Sequence, residues 1–482
     1  MVKSTAVFGG AQVIQMLIVI LRAKFIAVFL GSEGMGINAI FQSTIAVIAS
    51  FSCFGIFQSA VRDISQAHEK GDVTQLSFIS AIFSKLVWTA GVIGLFICVL
   101  GAYWLSELSF NNEDFTLYFV LLSVSLLFTA LSNGKMVLLQ GTRNLNYLAK
   151  ASIIGAVVSL AVGIPMFYFL GTLGIVLSII SSSLTLYLTQ LYYSRKISLV
   201  KIDNLKWNQI IEHGSPIVKL GIVLMISTVM ITLFTYFTNI YISRFGKIED
   251  VGLFQGVSSI TNQSIAIVIA VLASDFFPRL SAIYQDRIKV KTMVNEQLEL
   301  VSLIIAPIIV VLIIFSKLII TVLLSNDFLV VVPMLRWMSL SLLARGVWLT
   351  MSYIILANGD KKTYFLYDAL IGNGLLFIFN IISYNFWGLQ GLGVSFLAGS
   401  IVVSSVLFVI VKAKYEFSFT NSFMKILATL VIMVIFSYLI IYFFDGWIKY
   451  GLSALIMGLT LTFSFIILNK RIGVLQMLKS RF

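Results

Sequence analysis

The chain contains 482 residues, of which 59% are hydrophobic and only 11% are charged, and its formal net charge at pH 7 is +13. Soluble domains carry about 25% charged residues, and a soluble chain of this length could not bury so much apolar surface. The composition therefore excludes a soluble enzyme, a nucleic-acid-binding protein and a disordered chain, and it indicates an integral membrane protein.

Apolar stretches long enough to cross a bilayer recur along the whole chain. A helix needs about 20 apolar residues to span the hydrocarbon core, and these stretches are too long for the alternating strands of a membrane barrel. They predict an all-α polytopic membrane protein with about 14 transmembrane helices. The predicted spans are 4–30, 36–61, 77–105, 115–137, 148–169, 173–193, 217–242, 252–275, 298–325, 331–357, 364–386, 391–411, 423–443 and 451–468.

The distribution of basic residues predicts the orientation of these spans. If both termini are cytoplasmic, 24 of the 33 Lys and Arg residues lie in cytoplasmic segments. The outer loops then hold only Arg244, Lys247 and Lys449. Because basic residues concentrate in cytoplasmic loops, we predict that both termini are cytoplasmic.

The longest polar stretch, 194–216, divides the first twelve spans into two sets of six. Gly31 and Gly36, after span one, correspond to Gly246 and Gly252, after span seven, which indicates an internal repeat. An even number of spans per copy predicts two pseudo-symmetric lobes of the same orientation. The predicted domains are an N-terminal six-helix lobe (1–196), a cytoplasmic linker (197–216), a C-terminal six-helix lobe (217–413), and an extra helix pair with a basic cytoplasmic tail (414–482).

Motifs of catalysis and cofactor binding are missing from the sequence. It contains no P-loop, no G-x-S-x-G and no H-E-x-x-H, and its two histidines, His68 and His213, are far apart. The longest predicted outer loop has about nine residues, which leaves little room for the active site of a membrane glycosyltransferase or polymerase. We therefore predict a transporter, not an enzyme, with no cofactor and no metal site.

Positive charge is in excess within the predicted spans. Six basic residues face at most two acids, Asp275 and Asp368. Each Arg or Lys at the centre of a helix costs about 2.5–3.5 kcal/mol on insertion scales, unless it snorkels to the interface or lines a wet cavity. The six basic residues are Arg22, Lys24, Lys85, Lys317, Arg336 and Arg345.

The position of most of these cations within their spans favours either snorkelling to the interface or a wet cavity. Arg345 lies at the middle of span ten and is predicted to face a cavity, and one of Arg22 and Lys24 is predicted to face the protein interior. Arg336 is placed as an interfacial anchor, and Arg62, at the end of span two, is an ordinary cytoplasmic anchor on position alone. Two lysines about eight residues from an interface fit either explanation: Lys85 and Lys317.

The first 65 residues carry a specific pattern. A first helix with Lys24 leads into Leu-Gly-x-x-Gly-x-Gly at 30–36, followed by Phe-Gly at 54–55 and Ser-Ala-Val-Arg at 59–62. This pattern resembles the start of Wzx-type polysaccharide flippases, which belong to the multidrug/oligosaccharidyl-lipid/polysaccharide (MOP) exporter superfamily. The O-antigen and enterobacterial common antigen translocases are the most similar branch, and fourteen spans in two lobes is the layout of the superfamily.

The resemblance implies a MOP/MATE-like fold that alternates between inward- and outward-facing states around a cationic cavity. It implies transport of undecaprenyl-pyrophosphate-linked oligosaccharide across the bacterial inner membrane, with membrane lipids, a polysaccharide polymerase and glycosyltransferases as further partners. Because the family pattern has a basic residue near the end of span two, Arg62 joins the candidates. The predicted substrate-binding residues are Arg22, Lys24, Arg62, Lys85, Lys317 and Arg345. Since no nucleotide site is present, Asp368 is the predicted site of proton or sodium coupling.

Two other transport functions stay open at this point. A lipid II flippase would carry the same pyrophosphate and is not distinguished by the sequence. A multidrug or cation antiporter of the same superfamily should have an acidic cavity, and the six-to-two excess of basic residues counts against it.

The predicted topology places residues 114 and 361 on opposite sides of the membrane. In a cysteine-free background, Asp114→Cys should react with an impermeant maleimide added to intact cells, and Lys361→Cys should react only after permeabilisation. Labelling of both positions from outside would contradict the fourteen-span orientation.

Overall fold

The computed structural model of the chain describes residues 2–53, 55–200, 207–271 and 276–472. All regular elements in these ranges are helices, and nine helical stretches there are long and apolar enough to cross a membrane. Three of the nine contain two predicted spans each, and the helices Trp207–Phe245 and Ile248–Val271 cover spans seven and eight. The predicted all-α polytopic membrane fold is confirmed.

The chain divides into two compact units, residues 1–255 and 256–482. The predicted lobe boundaries at 197–216 stay a prediction, and residues 201–206 of that linker and 473–482 of the basic tail lie outside the described residues. The first helices are α1 (Val2–Ser52), α2 (Ile56–Glu69), α3 (Val73–Phe110), α4 (Thr116–Gly141), α5 (Leu145–Ser194), α6 (Trp207–Phe245) and α7 (Ile248–Val271). They are followed by α8 (Phe277–Ala282), α9 (Arg287–Ile314), α10 (Ser316–Leu323), a 3-10 helix (Asn326–Val331), α11 (Val332–Ala357), α12 (Lys361–Tyr364), a π-helix (Phe365–Gly372), α13 (Asn373–Tyr415), α14 (Asn421–Phe443) and α15 (Gly446–Ile472).

Three long helices change direction at a glycine. Gly31 in α1, Gly171 in α5 and Gly388 in α13 have φ of 66°, 56° and 56°, a left-handed region that glycine adopts without steric penalty. Each of these glycines separates two predicted spans. The chain thus passes from one span to the next through a break at a single non-helical glycine, which separates two helices.

The breaks in α5 and α13 share a second glycine three residues later. A Cβ added at Gly174 would lie 1.9 Å from the carbonyl oxygen of Met166, and one at Gly391 would lie 2.0 Å from that of Ser383. In both cases the contacted carbonyl is eight residues earlier in the chain. The same local geometry therefore occurs between spans five and six and between spans eleven and twelve, which supports the internal repeat.

The glycines of the predicted repeat also meet each other directly in the first unit. A Cβ at Gly36 would lie 2.1 Å from the carbonyl oxygen of Ile248, and a Cβ at Gly252 would lie 1.8 Å from that of Ser32. Each glycine contacts the residue four positions before the other, so the contact between α1 and α7 is reciprocal. This symmetry agrees with the predicted correspondence of Gly36 with Gly252.

Two predicted spans differ in their ends from the structure. Span two was predicted to run to residue 61, but α1 ends at Ser52 and Gly55 takes a left-handed conformation with φ of 61°. The separate helix α2 follows, with Ile56, Ala60 and Ile64 fully buried along one side and polar residues on the other. Span nine is likewise divided, because α9 ends at Ile314 and α10 begins at Ser316.

The C-terminal helices α14 and α15 pack against α9 through two buried polar residues. The Asn295 side chain donates to the carbonyl of Ser418 at 3.1 Å and accepts from the amide of Thr420 at 2.8 Å. One turn later the carboxylate of Glu299, 3% exposed, forms an ion pair with Arg471 at 2.8 Å. These contacts attach the extra helix pair to α9, within the second unit.

The turn between α11 and α12 is held by Asp360. Its carboxylate accepts from the amide of Thr363 at 3.1 Å and from the hydroxyl of Tyr415 at 2.8 Å, and it pairs with Lys414. The hydrogen bond from Lys414 and those from Thr363 hold the pKa of Asp360 far below its usual range. This stabilisation is present at neutral pH and is lost only when strong acid protonates the folded carboxylate.

The reciprocal glycine contact can be tested with a matched pair of substitutions. Gly252→Ala should lower the free energy of unfolding by about 1–3 kcal/mol, because the added methyl group meets backbone atoms that cannot move aside. Gly458→Ala, on the exposed side of α15 with no atom within 4 Å, should be neutral or slightly stabilising. Thermal unfolding of both variants in detergent makes the comparison, and equal melting temperatures would contradict the close contact.

Candidate functional site

Arg22 is held inside the first unit by neutral partners. Its guanidinium donates to Ser182 Oγ at 3.0 Å and to Ser178 Oγ at 3.1 Å, both on the second half of α5. The guanidinium carbon lies 5.9 Å from the centre of the Phe167 ring, on the first half of the same helix. Within the described ranges no carboxylate lies at ion-pair distance from Arg22, so its charge is solvated by hydroxyl groups and an aromatic ring but not neutralised.

Arg345 has a similar environment in the second unit. Its Nη2 donates to Asn262 Oδ1 at 3.1 Å, and its Nη1 is buried without a hydrogen-bond partner. An unsatisfied buried donor is destabilising, more so on a charged group. No acidic side chain in the described part of the chain pairs with Arg345, and its buried Nη1 could bind an anion without displacing a described hydrogen-bond partner.

The other predicted cations are less enclosed. Lys24 is half-buried on α1, whereas Lys85 on α3 and Lys317 on α10 are exposed on their helices. Arg62 lies on the polar side of α2, its side chain is 59% exposed, and it pairs with the neighbouring Asp63 at 3.0 Å. The structure thus encloses Arg22 and Arg345, which lie in different units, and the substrate-binding role of all six residues stays a prediction.

The two predicted acids are only partly described. Asp368 lies in the π-helical segment Phe365–Gly372, a rare geometry that is frequent at functional sites, but its side chain lies outside the described residues. Asp275 is also outside them. Within the described ranges, no group of three or more His, Cys, Asp or Glu residues could hold a metal ion.

Some polar residues around these cations were not singled out from the sequence. Ser178 and Ser182 are one helical turn apart on α5, and Ser182 also bonds Ser159 at 3.0 Å. Serines of this kind are routine in membrane helices, so only their contact with Arg22 distinguishes them. Lys135, within predicted span four, is half-buried in α4, which continues to Gly141, so it is a further basic residue inside a span that the sequence analysis did not single out.

A cavity of about 220 Å³ also opens between α1, α4 and α6 in the first unit. Its polar lining comes from Ser50, Asn133 and Thr228, and Cys53 adds a buried thiol. Hydroxyl and amide groups of this kind can solvate a polar ligand within a membrane protein. Neither Arg22 nor Arg345 lines this cavity. Each arginine by itself has the chemistry to bind an anion, because a guanidinium binds phosphate oxygens in a planar, bidentate manner.

The polysaccharide biosynthesis protein family matches residues 25–333 of this chain. The Lipid III flippase of Escherichia coli K12 is 21% identical over 350 residues, which cover 73% of this chain and 83% of that protein. These matches agree with the resemblance to polysaccharide flippases that the first 65 residues carry.

Two solved structures share the fold. The inward-facing conformation of a multidrug resistance MATE family transporter of the MOP superfamily has a TM-score of 0.71 at 16% identity, covering 83% of this chain and 94% of that one. The lipid II flippase MurJ in an inward closed conformation has a TM-score of 0.70 at 19% identity, covering 96% and 98%. At these identities the likeness concerns the fold alone, and it confirms the predicted MOP/MATE-like architecture.

The pairing of each arginine predicts how its removal affects stability. Arg22→Met and Arg345→Met should leave the melting temperature unchanged or raise it, because no carboxylate among the described side chains is paired with either arginine and would be stranded. Arg471→Met is the matched control: it leaves Glu299 buried and unpaired, and it should cost about 1–3 kcal/mol since Arg471 itself is partly exposed. A loss of stability in Arg22→Met or Arg345→Met as large as in the control would indicate a structural role.

Proposed function

This chain belongs to the polysaccharide biosynthesis protein family, and on that premise we propose that it is a flippase for an undecaprenyl-pyrophosphate-linked oligosaccharide. The substrate would move from the inner to the outer leaflet of the bacterial cytoplasmic membrane by alternating access. The similarity to the Lipid III flippase of Escherichia coli supports a lipid-linked substrate. An O-antigen-type repeat unit is the proposed glycan.

One observation carries this proposal: two arginines in membrane-spanning helices have neutral partners in place of carboxylates. Arg22 bonds two serines, and Arg345 bonds one asparagine and keeps a buried, unsatisfied Nη1. Such charges are expensive in a membrane, and they persist where a ligand or a wet cavity makes use of them. A pyrophosphate is an obligate anion and would supply the missing acceptors.

The serine and asparagine partners of the two arginines suit the binding of an anion. Hydroxyl and amide oxygens orient a guanidinium without neutralising it. The group therefore keeps its positive charge, and its remaining N–H donors can bind the ligand. A carboxylate partner would compete with the phosphate for the same donors. The polyprenyl tail needs no polar group and can stay in the lipid while the head group crosses.

Several further properties belong to the same proposal. Both termini are cytoplasmic, the protein acts beside a polysaccharide polymerase and glycosyltransferases, and Asp368 couples transport to protons or sodium ions. Lys24, Arg62, Lys85 and Lys317 add positive charge to the substrate path. The π-helical backbone around Asp368 supports a functional role for that segment.

A lipid II flippase is the second candidate function. The fold of MurJ extends over 96% of this chain, including the extra helix pair. Because lipid II carries the same pyrophosphate, the arginines serve either substrate equally. Complementation of a strain that lacks its own lipid II flippase would favour this alternative, whereas restored glycan display without such complementation favours the oligosaccharide.

Substitutions at Arg345 test the proposed function directly. Arg345→Ala should weaken binding of the substrate by about 1.5–3 kcal/mol, the contribution of a hydrogen bond to a charged group, while the protein stays folded. Arg345→Lys should retain part of the activity, and Arg345→Glu should abolish it by repulsion. Surface glycan display is compared with the amount of protein in the membrane for each variant.

A charge reversal elsewhere in the same unit provides the control. Lys425 is exposed at the start of α14, and Lys425→Glu should leave glycan display unchanged at normal expression. Normal display from Arg345→Glu would remove Arg345 from the substrate path and reject the proposed site.

The absence of a nucleotide motif predicts the energy source. Purified protein in vesicles should flip the substrate without ATP, and dissipation of proton and sodium gradients should slow any accumulation. Strict dependence on ATP in the purified system would rule out this mechanism.

A further inference from the structure

A second polar pocket lies in the first unit, where α2, the start of α3 and the start of α6 meet. Its volume is about 350 Å³, within the range of small-ligand sites. Asp63, Gln66 and Lys70 line it from α2 and its C-terminal end, and Gln75 lines it from the first turn of α3. Apart from Asp63, which pairs with Arg62, these side chains have no part in the site described above.

The backbone around this pocket is held in place by local contacts. Gly71, with φ of 70°, makes the turn between the two helices, and the carboxylate of Asp72 caps α3 by accepting from the amide of Gln75 at 2.8 Å. Ile64 of α2 is fully buried, and so is Ala67, which also lines the pocket. The backbone that carries the four polar side chains is therefore held in one position.

The pocket also lies at a close contact between α2 and α6. Ile217 of α6 forms part of its wall, and Ser59 Oγ donates to the carbonyl of Ile217 at 2.9 Å. Nearby, a Cβ at Gly55 would lie 2.1 Å from the carbonyl oxygen of Gly221. A ligand in the pocket would thus touch α2, α3 and α6, of which α2 and α6 are in close contact.

The chemistry of the lining fits a sugar better than a phosphate. Two amides and one carboxylate offer both donors and acceptors, which match the hydroxyl groups of a sugar ring. The lining carries one carboxylate, Asp63, beside one ammonium group, Lys70, and the carboxylate would repel a phosphate but not a neutral sugar. Phe78 and Ile79 add an apolar surface against which the C–H face of a sugar can pack.

Asp63 keeps an acceptor for such a ligand. Both hydrogen bonds from Arg62 go to Oδ1, at 3.1 and 3.0 Å. We propose that this pocket binds a sugar residue of the lipid-linked glycan. The inference rests on the proposed function, and the predicted topology puts the pocket on the cytoplasmic side, where the glycan lies before transport.

Binding of two probes to the purified full-length protein tests the proposal. One probe is the lipid-linked glycan extracted from membranes of the host, and the other is undecaprenyl pyrophosphate without a sugar. The double variant Gln66→Ala/Gln75→Ala should bind the first probe about tenfold more weakly, the loss of two neutral hydrogen bonds, and the second probe with unchanged affinity. Free oligosaccharide released from the glycan should compete in the wild type and not in the double variant.

A matched control uses another exposed glutamine of the same unit. Gln140→Ala, near the end of α4, should change neither affinity. Unchanged glycan binding in the double variant, or an equal loss for both probes, would overturn the sugar pocket. Competition by phosphatidylethanolamine vesicles at the same residues would assign the pocket to a lipid head group and also overturn it.

The proposed function fails separately from this inference. If the wild type binds neither probe, the lipid-linked substrate itself is rejected. If Arg345→Ala weakens both probes while the glutamine variant weakens neither, the flippase stands and the sugar pocket does not.

Discussion

The hydrocarbon core of a bilayer offers no water to the peptide backbone, and the rest of this structure depends on that constraint. Each N–H and C=O inside the membrane must be bonded within the chain, which restricts a spanning segment of this length to a helix. Changes of direction are therefore confined to short breaks. Gly31, Gly171 and Gly388 make such breaks in the left-handed region, where glycine has no side chain to clash with the backbone.

The low dielectric of the membrane interior also makes an unpaired charge costly, and the charged residues of this chain fall into two groups by their partners. Glu299 is buried, and the structure supplies Arg471 as its partner. Arg22 and Arg345 are held by serine and asparagine side chains that orient a guanidinium but do not cancel its charge. The first arrangement secures the C-terminal helix pair, whereas the second keeps positive charge available at a cost to stability. That difference in pairing, more than the number of basic residues, separates Arg471, which neutralises a buried acid, from the two arginines that we propose bind the substrate.

Close backbone approach is the third consequence of a helical membrane protein. Helices in lipid gain little from apolar burial against one another, so small residues that permit tight contact are favoured at their interfaces. Gly36 and Gly252 serve this purpose reciprocally between α1 and α7. In the sequence, their correspondence rests on the similar spacing of a few glycines. In the structure, the contact between them is reciprocal, which supports the correspondence. The matching backbone geometry after Gly171 and Gly388 indicates that the internal repeat includes the later spans as well.

The sequence by itself determined the class of the protein and its helices, because a span of about 20 apolar residues is a local property that needs no tertiary contact. The superfamily was indicated by a resemblance in the first 65 residues. The sequence also placed Arg345 and Arg22 at membrane depth. It could not predict that α1 ends at Ser52, since the apolar run continues past Gly55 and only the packing of α2 decides the break. Nor could it separate Arg22, bonded to serines 156 and 160 residues away, from the exposed Lys85 and Lys317. Which partner a charge finds depends on residues distant in the chain, and tertiary structure alone brings them together.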